Sequence, residues 1–244
     1  MQDSINNIES KGEDMSGKHL APSCAACHVE DTKRICQTEV GSASGGCPTL
    51  KKKAILGEAN KTYEAPEVGN FARQASLQES QCYANRHIQP YVMQPTKTRI
   101  VEICEFAEKM NYRRLGLAFC AGLSKEAAIV EDLLKTRGFE LVSVVCKAGR
   151  TPKKLLGLSR EDTLSYDEKE SMCNPVFQAK LMNHEKTDFN ILLGLCVGHD
   201  SLFFKYADAP VTVLAVKDRV TGHNPLAAIY LSDSYYRKIK NPDL

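Results

Sequence analysis

The chain has 244 residues, 43% of them hydrophobic and 25% charged, with a formal net charge of +2, enough for one good core and a small appendage. That balance leaves no concentrated basic face, so neither nucleic acid nor an anionic membrane is expected as a partner. No apolar stretch approaches bilayer length, and the polar start MQDSINNIESKGEDMSGKH lacks the apolar region of a secretory signal, so a cytoplasmic protein is expected.

Ten cysteines then need a use. Cytosolic thiols stay reduced, which argues against a disulfide framework. Metal ligation, reactive thiols and small apolar core residues are left.

Residues 1–20 are polar without apolar periodicity and are expected to be a disordered tail. Residues 21–50 are rich in Cys, Gly and Ser and have little to bury, so a metal is the expected source of their order. Cys24-Ala-Ala-Cys27, Cys36 and Cys47 read C-x2-C-x8-C-x10-C. The first pair lets two thiolates grip one ion from a tight turn, and the later two close a tetrahedral S4 site suited to zinc. An iron–sulfur cluster accepts the same four thiolates, and spacing does not separate the two. His28 could replace one thiolate, though four cysteines suffice. Gly41, Gly45 and Gly46 let the returning loop bend. The run Lys51–Lys53 reads as a solvated helix face.

Residues 50–84 read as two helical pieces, the second opening at Ala65-Pro66-Glu67 with proline in its first turn. Asn85 to Pro95 reads as a linker. From residue 96 a helix carrying Ile100, Ile103, Cys104, Phe106, Ala107 and Met110 leads into alternating apolar runs and helices. The runs are Leu115–Cys120, Leu141–Cys146, Phe189–Cys196 and Val211–Val216. The helices span Ser124–Thr136, Asn174–His184, Asp200–Tyr206 and Asn224 to about Ile239. This alternation predicts a three-layer α/β/α domain over 96–244 with a mostly parallel four-stranded sheet, in the flavodoxin-like order 2-1-3-4. The polar stretch from Lys147 to Ser171 is too long for a turn. It reads as a lid or an insertion, with a short helix around Pro152 to Leu158.

Cys120, Cys146 and Cys196 fall at the carboxyl ends of predicted strands, where parallel sheets build their sites. Cys173 precedes a helix opening Asn174-Pro175, and His223 precedes one opening Asn224-Pro225. In both, Asn can cap and Pro fits the first turn. Gly198 allows a sharp turn ahead of His199, and Ser124 is the expected cap after Cys120. Helix N-termini favour thiolate. If strands 1 and 3 are neighbours, Cys120 and Cys196 flank one crevice. These thiols could hold a second metal with His199 or His223. They could instead form a redox dithiol, or supply a nucleophile to a small-molecule or redox partner. The structural alternative is that each packs singly as a core residue. Lys217, Asp218 and Arg219 could bind an anionic substrate or orient a histidine, or else form an internal ion pair. Cys104 reads as core, Cys82 has no assigned role, and His19, His87 and His184 read as surface residues.

There is no P-loop, no G-x-G-x-x-G after the first strand, no G-x-S-x-G and no H-E-x-x-H, which argues against nucleotide hydrolysis and serine hydrolase chemistry. An enzyme here would be a thiol- or metal-dependent oxidoreductase or transferase. The alternative is a zinc-knuckle binding or sensor module without catalysis.

Five strings, Leu115–Leu123, Val145-Cys-Lys147, Cys173–Ala179, Gly194–Asp200 and Val216–Arg219 with His223-Asn-Pro225, together resemble an uncharacterised bacterial and archaeal family. It is the domain of unknown function numbered eighteen forty-seven, described as predicted metal-binding. The likeness spans roughly residues 22–238. It implies that Cys24, Cys27, Cys36 and Cys47 form a zinc site, and it implies no reaction.

Overall fold

The structure is a computed structural model that describes residues 21–243; the expected tail over 1–20, with His19, lies outside them. The chain divides into two compact units, Met1–Arg73 and Gln74–Leu244.

In the first unit, short 3-10 turns at Cys24–Ala26 and Asp31–Lys33 precede α1 (Pro48–Lys51), α2 (Lys53–Thr62) and the opening of α3 (Pro66–Gln81). The loop between the turns and α1 closes on itself: Ile35 N–H donates to Ser42 O at 2.9 Å and Ser42 N–H to Lys33 O at 2.7 Å. Gly41 permits this, since a Cβ there would stand 2.4 Å from Ile35 N. No hydrophobic side chain is buried between residues 21 and 73.

The second unit owes its order to burial. Helix α4 (Arg99–Lys109) buries Ile103, Cys104, Phe106 and Ala107, whose three- and four-residue spacing puts them on one helical face. Strands β1 (Arg114–Phe119), β2 (Glu140–Val145), β3 (Phe189–Leu193) and β4 (Val211–Ala215) form an all-parallel sheet ordered β2-β1-β3-β4. This is the expected order. Helices α5 (Ser124–Thr136), α6 (Pro175–His184) and α7 (His199–Tyr206) connect the strands. Ala118, Val144 and Leu192 share a row across the sheet and pack with Ala179 and Met182 of α6 and Phe203 of α7. Strand alternation turns Leu117 and Ile191 to the opposite face, where they are also fully buried. Both faces are therefore covered. Each large aliphatic side chain sealed this way contributes about 1.5–3 kcal/mol. Gly116 lies beside Asn190, and a Cβ there would meet Asn190 Oδ1 at 2.1 Å and Met182 Sδ at 2.7 Å.

Three predicted elements end differently. β3 stops at Leu193 rather than Cys196, because the register shifts at Leu192/Leu193 and Gly194 adopts φ +66°. The last helix, α8, covers only Pro225–Tyr230. Leu226, Ile229 and Tyr230 are exposed, so it has no buried face to extend it through Ser232-Asp233-Ser234. The helix expected near Pro152–Leu158 is a 3-10 turn at Lys153–Leu156 ending at Gly157, φ +76°.

Candidate functional site

β1 and β2 end at Phe119 and Val145, so Cys120 and Cys146 step off adjacent strands at the same edge. Between Cys146 and Cys173 the chain makes an excursion whose base is pinned. Met172 N–H donates to Thr151 O at 2.7 Å and Lys153 N–H to Glu170 O at 2.9 Å. The Lys153–Glu170 ion pair closes at 2.6 Å with both side chains mostly buried. Asn174 N–H then donates to Cys146 O at 2.7 Å, returning the chain to the strand end. Asn174 Oδ1 caps α6 by accepting from Phe177 N–H at 2.9 Å, as its position predicted.

The result is a pair of sulfurs in contact, with Cys120 on the neighbouring strand end. Cys173 Sγ lies 3.5 Å from Cys146 Sγ, and Cys146 also receives Ala121 N–H at 3.4 Å. Cys146 is 2% exposed, while Cys120 and Cys173 are half-buried. With both sulfurs protonated Cys173 Sγ donates to Cys146 Sγ; once Cys173 ionises, the Cys146 thiol is the donor left to it. Cys120 is pushed up to about 12, first by the neighbouring Cys146 thiol and then by burial. Cys146 is raised too, the raising influences being the sulfur of Cys173 and burial. Cys173 falls to about 7, its ionised form favoured first by a hydrogen bond from Cys146 and further by the charge of Lys147. It is the sulfur that ionises first.

Gln178, fully buried on α6, holds this arrangement. Its Nε2 donates to Val144 O at 2.7 Å and Phe119 O at 3.3 Å, tying α6 to the ends of both strands. No sequence signal marks it, since a helical glutamine ordinarily reads as exposed. Lys147 was also missed as a site residue; its ammonium donates to Ser171 O.

The other candidates lie on the loops that follow β3 and β4. Cys196, three residues beyond β3, accepts from Arg219 Nη2 at 3.1 Å. His199, first residue of α7, is kept below its ordinary value chiefly by burial. His223 turns back on its own loop. Its Nδ1 accepts Asp218 N–H at 3.1 Å and its N–H donates to Asp218 O at 2.8 Å, with φ +69°. Its proton is thereby placed on Nε2. Asp218 Oδ1 accepts from Val220 and Thr221 N–H, each at 3.0 Å, so Asp218 shapes this loop. Asn224 makes no side-chain cap, unlike its counterpart Asn174. Ser124 Oγ donates back to Ala121 O at 2.8 Å instead of capping α5. Cys82 and Cys104 are buried, the latter in the α4 core. His87 and His184 are exposed.

In the first unit, Cys24, Cys27, Cys36 and Cys47 line one hollow with Ser44 and Arg34. Cys27 Sγ and Ser44 Oγ are 3.2 Å apart, and this hydrogen bond chiefly holds Cys27 below its ordinary value. Among the described residues, no three His, Cys, Asp or Glu side chains are gathered as ready metal ligands.

The geometry defines a class: an open, all-parallel α/β protein whose strand ends carry thiols. The chain belongs to the family of proteins of unknown function DUF1847, whose pattern matches residues 47–214. An uncharacterized protein of Methanocaldococcus jannaschii is 46% identical over 142 residues, covering 58% of this chain and 70% of that one. No solved structure matches it. The matched span is shorter than the expected 22–238: Cys24, Cys27 and Cys36 precede it, and Lys217–Arg219 and His223 follow it. Cys47 and the strand-end residues Cys120, Cys146, Cys173, Cys196 and His199 fall within it. Among the described residues, no helix is long and apolar enough to cross a membrane.

Proposed function

We propose that the protein carries out thiol–disulfide exchange at the carboxyl edge of its sheet, and that a zinc ion on Cys24, Cys27, Cys36 and Cys47 orders its first unit. The exchange reading rests on one observation, the 3.5 Å approach of Cys173 Sγ to Cys146 Sγ from positions 27 residues apart in the chain.

The chemistry follows from this pair. Cys173 gives its proton to solvent, and its thiolate attacks one sulfur of a substrate disulfide. The substrate S–S bond breaks, the departing thiolate takes a proton from solvent, and a mixed disulfide is left on Cys173. Cys146 then loses its proton and attacks Cys173 Sγ, closing the gap from 3.5 Å to a bond of about 2.05 Å. The second substrate thiolate leaves and is protonated. Two protein thiols are oxidised and one substrate disulfide is reduced to two thiols.

The test is peptide mapping of anaerobically reduced protein after oxidised glutathione is added. The expected product is a Cys146–Cys173 disulfide, abolished by Cys173→Ser. Glutathione adducts scattered over single cysteines with no intramolecular bond, formed no faster than on a free thiol peptide, would reject the reading.

Zinc is supported by the donor set and by the lack of a buried hydrophobic side chain between residues 21 and 73. Bound there, zinc would supply structure and no electrons. An iron–sulfur cluster on the same thiols would announce itself by visible absorption in anaerobically purified protein.

A further inference from the structure

Three cations surround the sulfurs. Lys147 follows Cys146 directly, and its charge acts on Cys173. Lys217, just beyond β4, leans across the loops that follow β1 and β3. Its Nζ lies 3.2 Å from where a Gly122 Cβ would stand, and its Cδ 3.8 Å from the same point at Gly194. Its charge acts on Cys120. Arg219 sits on Cys196 Sγ and also interacts with the charges of Cys120 and Cys173. None of the three has a carboxylate partner among the described residues. The carboxylates on the same loops are otherwise engaged: Asp200 Oδ1 accepts Ser201 N–H at 2.7 Å, and Asp218 Oδ1 holds Val220 and Thr221 N–H. The remaining nearby cation, Lys153, is spent on Glu170.

Free surface lysines and arginines are commonplace. Here three cations without a carboxylate partner come from the ends of two strands, β2 and β4, and gather at the sheet edge that carries the thiols. Of the sulfurs, Cys173 is the one lowered to about 7, and Lys147 is the cation that helps lower it, while Cys120 beside Lys217 stays protonated. The surplus charge acts on whatever approaches.

We infer that the disulfide taken by this edge is an anionic, low-molecular-mass one with carboxylates close to its S–S bond, steered and held by Lys217 and Arg219 with Lys147. This rests on the exchange reading. Cys120, Cys173 and Cys196 are half-buried residues, which suits a narrow, unbranched substrate.

The experiment compares three linear disulfides on the reduced full-length protein at low salt: 3,3′-dithiodipropionate (dianionic), bis(2-hydroxyethyl) disulfide (neutral) and cystamine (dicationic). Each second-order rate constant is divided by that of a short uncharged cysteine peptide, removing leaving-group differences. The expected order is anion, neutral, cation, with about tenfold or more between the extremes. That ratio shrinks as ionic strength rises, and it falls toward one in the double variant Lys217→Gln, Arg219→Gln. The salt series on the unaltered protein keeps the test valid should the variant fold poorly. Rates above the peptide for all three disulfides, with equal ratios or a cation preference, would overturn the charge inference alone. Rates no better than the peptide for every disulfide would bring down the exchange reading and this inference with it.

Discussion

A sulfur that gives up its proton near neutrality needs something to share the charge it keeps. For Cys173 that role falls first to the Cys146 thiol and then to the Lys147 ammonium, which together lower it to about 7 from an ordinary 9.0. Cys173 is therefore a thiol below pH 7 and a thiolate above it, and its alkylation rate should climb through about pH 7 and level off. Cys120 stays protonated until about pH 12 and should be silent over the same range. Cys146→Ala removes the donor, so the Cys173 inflection should move up toward 9. The thiolate fraction at pH 7 then falls from about half to about one per cent. A more basic sulfur is also more nucleophilic, so the observed rate should drop less, by about tenfold. Iodoacetamide kinetics with peptide readout, from pH 5 to 10, decide it. An inflection unmoved by Cys146→Ala would show that the 3.5 Å contact does not govern Cys173.

Helix α6 delivers Cys173 to the strand ends, and Gln178 is its fastening. Gln178→Leu keeps the volume but strips the donor from Val144 O and Phe119 O. Phe119 O keeps the Cys146 N–H at 2.8 Å, so the loss falls mainly on Val144 O, and a buried carbonyl short of a partner costs about 1–3 kcal/mol. Part of this is offset because Gln178 Oε1 is itself buried without a hydrogen-bond partner among the described residues. A net loss of about 1 kcal/mol in urea unfolding is expected, with a several-fold weaker Cys146–Cys173 disulfide in a glutathione redox titration. An unchanged redox midpoint would leave Gln178 as a packing residue only. The contrast between α6 and its surroundings also shows what a sequence can disclose. The parallel sheet was legible, because largely apolar runs such as Leu115–Phe119 and Phe189–Leu193 alternate with helices, and the flavodoxin-like order expected by analogy is the one observed. Cys120 and Cys146 were legible as strand-end residues for the same reason. The choice of partner was not. The expected condition for a crevice between Cys120 and Cys196 is met, since β1 and β3 are neighbours, but the pinned base at Thr151–Met172 and Lys153–Glu170 that brings Cys173 to Cys146 and the reach of Arg219 to Cys196 Sγ were not foreseen. His223 shared the Asn-Pro signature of Cys173 but takes a positive φ that folds its ring onto Asp218. Such outcomes depend on pairings across 20 or so residues of loop, which local periodicity does not encode.

At the scale of the molecule, the two units draw their stability from different physics. The second, from Gln74 onward, has a sheet whose central strand β3 is buried at every position. The first buries no hydrophobic side chain among its described residues, yet its four cysteines line one hollow. Removing a metal should therefore affect the units unequally. Treatment with a strong zinc chelator should release about one zinc per chain and open residues 21–50 to limited proteolysis. The same treatment should leave the melting of the β-sheet, followed by circular dichroism, within about 2 °C, because the sheet's stability comes from apolar burial that no metal touches. Cys36→Ser should reproduce the proteolytic opening without chelator, since three thiolates cannot close a tetrahedral S4 site. Identical cleavage patterns with and without chelator, in protein that elemental analysis shows to be free of zinc and iron, would mean that the four thiols do not organise the first unit through a metal.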